Sequence, residues 1–427
     1  MTIASTRLPV DAGTPVPDVV ACVREWVDAH VPAHWRDAAA RGADALRVAR
    51  PRPEYEDWYP VFGASGLVVP MWEPDHGGLG VDAGTARAID TELSPLRLHR
   101  LNPLGLNNTA AALFAWGTED QRVRFLPPIV RNEERWCQLF SEPGAGSDLA
   151  SLATKAERDG DEWIITGQKV WTTWADDSDF AILLARTNPS QPKNRGITYF
   201  LLDLHQPGVD IRPLRHITGE SEFNEVFLDA ARVPDAQRVG DIDDGWRVSA
   251  STLSSERQMV AGSGSGGVGR IGGASSQRLL DVARASGAWS DPVTRQRIVA
   301  LWSEEQIRGW TNARVRAHLA VGQSPGPAAS VGKVHQAGLN QRIQEAFVDL
   351  LGAHALAWPA SSNGGAGPEA YAAALPSEIN GMLRSRANSI EGGTTEVNKN
   401  ILGERVLGLP RDTDPWHGKP WAEVPRS

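Results

Sequence analysis

Cysteine is nearly absent. Two residues, Cys22 and Cys137, in a chain of 427 cannot build a disulfide framework or a metal knuckle, which points to a reducing compartment and a cytoplasmic location. Long apolar runs are missing too. No segment approaches the roughly 18 residues needed to cross a bilayer, and the first residues lack the basic segment and apolar core of a secretory signal, so neither anchoring nor export is expected. Lysine is scarce, six against thirty-seven arginines, and the net charge of -9 disfavours wrapping a polyanion, which draws on a basic face. Nucleic acid is therefore not an expected partner. What is abundant is glycine (42) and tryptophan (16), both clustered, in a chain that is 41% hydrophobic and able to bury one large core or several.

The periodicity changes twice along the chain. From about 17 to 134 apolar residues recur three and four apart, as in Val19, Val20, Val23, Trp26 and Val27, and Thr109 to Trp116 is Ala-rich. Pro70, Gly77, Gly78 and Gly80 mark an irregular loop, and Gly117-Thr118-Glu119-Asp120 reads as a stop followed by a capped restart. Between about 135 and 240 the period becomes two, in Trp163–Thr166, Phe180–Leu184 and Ile197–Leu202. Helical spacing returns at Asp244-Gly245-Trp246 and persists to about 408, with Ser290-Asp291-Pro292 placing a cap and a proline at a helix start. The order predicts helices at 1–134, a small β domain at 135–244, and a helical bundle with an extended Pro-rich tail at 245–427. No GxGxxG follows a predicted strand, which disfavours a nicotinamide site.

Three segments carry chemistry. Trp136 to Asp148 ends a strand in Pro143, Gly144, Ala145, Gly146 and Ser147, which exposes backbone N–H groups with little side-chain bulk, as an anionic phosphate or a flat cofactor edge requires. A plain turn between strands is the alternative. Gly167 to Ala175 sets Trp171 and Trp174 around Thr172 and Thr173, where indoles can cover an aromatic ring and hydroxyls can bond its polar edge, or else fill a core. In Ile390 to Pro410 the pair Gly392-Gly393 breaks a helix and Thr394 with Glu396 opens the next; alone, that is a helix joint.

In this order and spacing the three segments resemble the acyl-CoA dehydrogenase family, from roughly 60 to 410, with Phe125-Leu126-Pro127 and Phe223 to Phe227 adding to the match. The resemblance implies an α+β fold of an N-terminal helical domain, a central β-barrel domain and a C-terminal four-helix bundle, with FAD between the latter two. It also implies an acyl-CoA substrate, an electron-transfer flavoprotein as acceptor, and a homo-oligomer. Carried over residue by residue, it places Gln138, Ser141, Gly146, Ser147, Trp171 and Thr173 at the flavin, Thr394 and Glu396 near it on the bundle side, and Ser147 and Arg257 at the substrate. Arg284 falls where the family places an arginine on the FAD of a neighbouring subunit, although the aromatic that usually follows is missing. Asp349 and Gly352-Ala353 also depart from the usual Gln and paired Gly.

The reaction so implied removes an α-proton by a carboxylate while the β-hydrogen leaves as hydride to the flavin, with donors supporting the enolate oxygen. Most members carry the base directly before Gly-Thr in the third segment. Here that position is Gly392, and Glu391 sits one residue early. Members resembling isovaleryl- and long-chain acyl-CoA dehydrogenases place it before an Arg on a bundle helix, which Glu256-Arg257 matches. Leu253, Glu256, Arg257 and Val260 share a helix face, a partly apolar setting that raises a carboxylate's pKa. Glu256 is thus the expected base, with Glu391 as runner-up.

Residues 261–273 hold seven glycines where an ordinary helix is usual, each costing up to about 1 kcal/mol against Ala. Close helix approach is one reading; an acyl cavity widened for a polycyclic or steroid-type thioester is the other. Two further functions stand beside the dehydrogenase: an oxidase or carrier-protein thioester dehydrogenase of secondary metabolism, and a catalytically degenerate subunit of a heteromeric enzyme.

Overall fold

The computed structural model describes residues 6–260, 275–320, 326, 330–356 and 376–425, with the side chains of 254–260 and 319–320 outside that set. The glycine run at 261–273 lies outside the described residues. Seven helices come first: α1 (Val16–His30), α2 (Ala33–Ala40), α3 (Ala43–Ala49), α4 (Arg52–Ala64), α5 (Ala83–Leu93), α6 (Ala110–Trp116) and α7 (Glu119–Arg131). The restart read at Gly117-Thr118 is a capping box: Thr118 Oγ1 accepts from the Gln121 amide, and Gln121 Oε1 accepts from the Thr118 amide. Leu104–Thr109, ahead of α6, is wound as a π-helix.

Eight strands follow: β1 (Trp136–Leu139), β2 (Lys155–Asp159), β3 (Glu162–Thr173), β4 (Phe180–Arg186), β5 (Ile197–Asp203), β6 (Val209–Leu214), β7 (Phe223–Pro234) and β8 (Arg238–Val239). They pair in the order β6-β7-β3-β2-β4-β5-β8, with β1 added parallel to β4. β4 and β5 are buried on both faces, and the pleat sends alternate residues to different cores. Ile182, Leu184, Tyr199 and Leu201 join the core of the N-terminal helices, whereas Ala181, Leu183, Phe200 and Leu202 join an inner core with β3 and β7. Val209 and Ile211 of β6, at one end of the strand path, pack on that same inner core, so the sheet curls around it like a barrel.

The second helical part contains α8 (Gly245–Val260), α9 (Ser276–Ala285), α10 (Pro292–Ala320), α11 (Ser330–Leu351), α12 (Ser377–Ser385) and α13 (Thr395–Arg405). Asp291 caps α10 as its position before Pro292 predicts, accepting from the Thr294 amide at 2.9 Å. Leu279, Ile298, Leu301, Leu339, Ile343 and Phe347 form the core of α9, α10 and α11. The tail departs from the expectation of a merely extended segment. Trp421 sits in a short 3-10 turn and is buried against the β domain, because an indole with a satisfied N–H is stable out of water.

Candidate functional site

A chamber of about 2300 Å³ lies where the three parts meet, bounded by 97–108, the sheet, α8, α12 and the turn before α13. It exceeds the few hundred to 1,000 Å³ usual for one small ligand. Gln138, Ser141, Gly146, Ser147, Trp171, Thr173, Glu391 and Thr394 all line it. Two expected contacts do not: Glu396 is exposed in the first turn of α13, and Arg284 is exposed with its guanidinium 5.6 Å from the Trp289 ring centroid. Glu256 and Arg257 belong to α8, but their side chains lie outside the described residues.

The loop 140–148 is pinned from below. Glu142 and Ala145 exchange backbone hydrogen bonds of 3.1 and 3.0 Å around Pro143-Gly144. The Glu142 carboxylate accepts from the amides of Ala153 (2.7 Å) and Thr154 (2.9 Å) and from Lys169 Nζ (2.9 Å), which also donates to the Phe140 carbonyl at 3.0 Å. Lys169 is wholly buried. Burial pushes the Glu142 carboxyl up, but the Lys169 charge and the bonds from Thr154 and Ala153 outweigh it and hold the group below the usual carboxylate range. The pair is legible in the sequence: a lysine on an inward position of an alternating strand needs an anion, and Glu142 is in the adjoining segment.

On β3 the ladder to β7 shifts register between Lys169 and Thr172, and Trp171 adopts φ +60°. A bulge of this kind re-aims a side chain. Trp171 is 57% exposed, its edge toward Phe223 at a centroid distance of 5.8 Å. These indoles are therefore not core residues: Trp174, also at positive φ, is 45% exposed on the same wall.

Across the chamber, Gly392 (φ +62°) and Gly393 (φ +83°) occupy consecutive left-handed positions, which L side chains rarely adopt. They turn the chain into α13, where Thr394 accepts from the Val397 amide at 3.1 Å as the N-cap. Glu391, just before, is engaged at both oxygens. Oε1 accepts from Asn388 Nδ2 (2.8 Å) and Oε2 from Arg384 Nη2 (3.0 Å), while Arg384 Nε donates to Glu222 (3.0 Å). Burial works against the Arg384 charge, but Glu391 and Glu222 prevail and raise its pKa. Cys137, behind the loop, is pushed up to about 12 by burial and is no nucleophile at neutral pH.

The face of α8 toward the sheet is anchored by polar bonds. Tyr199 Oη and Thr252 Oγ1 are 3.1 Å apart, Thr252 Oγ1 donates to the Asn108 carbonyl at 3.3 Å, and Asn108 Nδ2 donates to Gln138 Oε1 at 2.8 Å. Ser249, Ala250 and Leu253 line the chamber.

Sequence profiles described as acyl-CoA dehydrogenase N-terminal, middle and C-terminal domains match residues 18–133, 137–231 and 243–407. The acyl-CoA dehydrogenase IpdE1 of Mycobacterium tuberculosis is 37% identical over 84% of this chain and 89% of its own. FadE34 of the same organism is 38% identical over 87% of this chain, which spans half the length of that relative. A solved structure described as "Tcur3481-Tcur3483 steroid ACAD" superposes with a TM-score of 0.69 at 25% identity, covering 94% of this chain and 100% of the other. With all three domains matched in order and the chamber at their junction, the chain belongs to the acyl-CoA dehydrogenase family of FAD-dependent oxidoreductases.

Proposed function

We propose that this protein removes hydrogen from the α and β carbons of a bulky acyl-CoA thioester to give the trans-2-enoyl-CoA, with Glu256 as base. The observation that carries the reading is the chamber, whose walls hold the positions proposed to contact flavin and whose volume accommodates more than one ligand.

The residues present fit FAD. The Trp171 and Trp174 indoles are exposed on one wall, a Cβ built on Gly146 would meet nothing within 4 Å, and Gln138, Ser141, Ser147, Thr173 and Thr394 offer neutral donors and acceptors suited to a ring edge of carbonyls and N–H groups. FAD, when bound, supplies the two-electron acceptor for the β-hydrogen.

The α-proton needs a carboxylate not already committed. Glu391 is held by a cation and an amide and serves to fix the Gly392-Gly393 turn. The helix register places position 256 one turn beyond Thr252, which is buried, and three residues beyond Leu253, which lines the chamber. A carboxylate at this position, near Leu253 in the sequence, is proposed to take the proton. Arg257 is proposed at the substrate, and Arg284 at the flavin of a second subunit. Trp302, Ile307 and Trp310, exposed along α10, support a homo-oligomer, since apolar area of this kind is usually covered. Electron-transfer flavoprotein is the proposed acceptor and the cytoplasm the proposed location; no helix among the described residues is long and apolar enough to cross a membrane.

The width of the acyl group follows from the glycine run after Glu256 and from the steroid ACAD relative. Anaerobic addition of a panel of acyl-CoAs to the yellow protein tests it. Polycyclic or steroid-type thioesters should bleach the flavin fastest; fastest bleaching by straight medium chains would contradict this.

A further inference from the structure

Beyond the last helix, the C-terminal tail returns across the molecule to the β domain. The Trp421 amide donates to the Gln191 carbonyl at 2.8 Å, the Ala422 amide to Pro189 at 3.0 Å, and the Trp421 indole N–H to the Ser151 carbonyl at 3.2 Å. The guanidinium of Arg186 lies 4.8 Å from the Trp421 ring centroid, close enough for a cation–π contact, and Arg186 is itself buried. Arg186 Nη2 donates to the carbonyls of Ala150 (2.7 Å) and Leu152 (3.2 Å), and Nη1 to that of Lys193 (2.8 Å). Lys193 in turn pairs with Asp148 at 2.8 Å, and Ser151 Oγ donates to Asp148 at 2.6 Å.

The Trp421 indole, Arg186 Nη2 and Lys193 Nζ all bond to the turn 148–152, which continues directly from Gly146 and Ser147, while the bonds to Pro189, Gln191 and the Lys193 carbonyl tie the tail and Arg186 to the neighbouring loop. One side of that turn is gripped by Arg186 and Trp421; on the other, Gly146, Ser147 and Leu149 line the chamber. A loop of glycine and serine has little stiffness of its own, and a contact group must be held within about half an ångström to act. The Glu142–Lys169 pair fixes the start of the loop. Its far end depends on the turn.

We propose that Trp421 is a positioning residue for the flavin loop, the C-terminal tail acting as a clasp that holds Gly146 and Ser147 in register through Ser151 and Arg186. This rests on the reading that the loop contacts FAD. The tail lies on the opposite side of the turn from the chamber, so its action is indirect.

The test uses the full chain, deflavinated and titrated with FAD, with hydrogen exchange followed over residues 147–153. Trp421→Ala should raise the FAD Kd at least fivefold and speed exchange in that segment. Trp421→Phe, which keeps a ring beneath Arg186 but cannot donate to Ser151, should raise it about twofold. Gly146→Leu, which sets bulk on the chamber side, is the control for the loop itself. Faster exchange with a wild-type Kd, or a lowered melting temperature with both readouts unchanged, would overturn the clasp. Should Trp421→Ala not fold, Trp421→Phe decides: wild-type Kd and exchange would overturn it. If Gly146→Leu alone weakens FAD, the clasp fails and the loop assignment stands; if neither variant does, both fail.

Discussion

Lys169 and Glu142 show how a single charge pair shapes the site. Lys169→Met keeps most of the side chain's volume but leaves the Glu142 carboxylate buried without its cation, an arrangement that costs about 3–5 kcal/mol. Urea unfolding should register that loss, and adding Glu142→Gln should recover part of it. A second residue-scale consequence concerns acid. Asp235 is held down to about 2, chiefly by Arg238 and then by the Trp163 indole N–H, against an ordinary value of 3.8. Its folded-state pKa lies below the unfolded one, so its stabilisation is complete above about pH 4 and is lost as the pH falls toward 2. Asp235→Asn should flatten the low-pH slope of stability, by about 1 kcal/mol, since solvent screens a pair at the surface. The Trp163 bond to Asp235 is not legible in the sequence, because the two residues lie 72 apart along the chain. By contrast, the chamber-lining residues of the 138–147 and 171–173 segments stand out in the sequence because glycine, serine and tryptophan cluster within short segments.

At the scale of elements, the turn before α13 depends on two consecutive left-handed residues. Gly393→Ala places a Cβ 3.2 Å from Asn398 Nδ2 at φ +83°, and should cost about 1–2 kcal/mol in melting experiments while loosening the Thr394 cap. The doubled glycine and the following Thr already marked this joint in the sequence; its ionic anchoring through Glu222, Arg384 and Glu391 was not visible, because Glu222 comes from the β domain. Strands β4 and β5 could be read from their apolar runs, which are buried on both faces. β6 is harder to read: Val209, Asp210, Ile211 and Arg212 alternate, but the run is short, none of its residues is buried and Pro213 interrupts it. The tail departs from its sequence pattern for a related reason. Its prolines suggest an extended chain, and nothing local shows that Trp421 has a guanidinium waiting on β4.

For the molecule as a whole, the change of period from helical to alternating and back is enough to order three packed parts, and the chamber at their junction explains why the candidate positions that line it are scattered over the chain. The measurement that tests the account most directly compares flavin reduction by a responsive acyl-CoA, without oxygen, in the wild type, Glu256→Gln and Glu391→Gln. General base catalysis contributes about 10²–10⁴-fold, so Glu256→Gln should retain its flavin and bleach at least a hundredfold more slowly. Glu391→Gln, which loses an ion pair to Arg384, should melt earlier yet stay within tenfold of the wild-type rate. Bleaching of Glu256→Gln at the wild-type rate, with Glu391→Gln inert, would contradict the assignment.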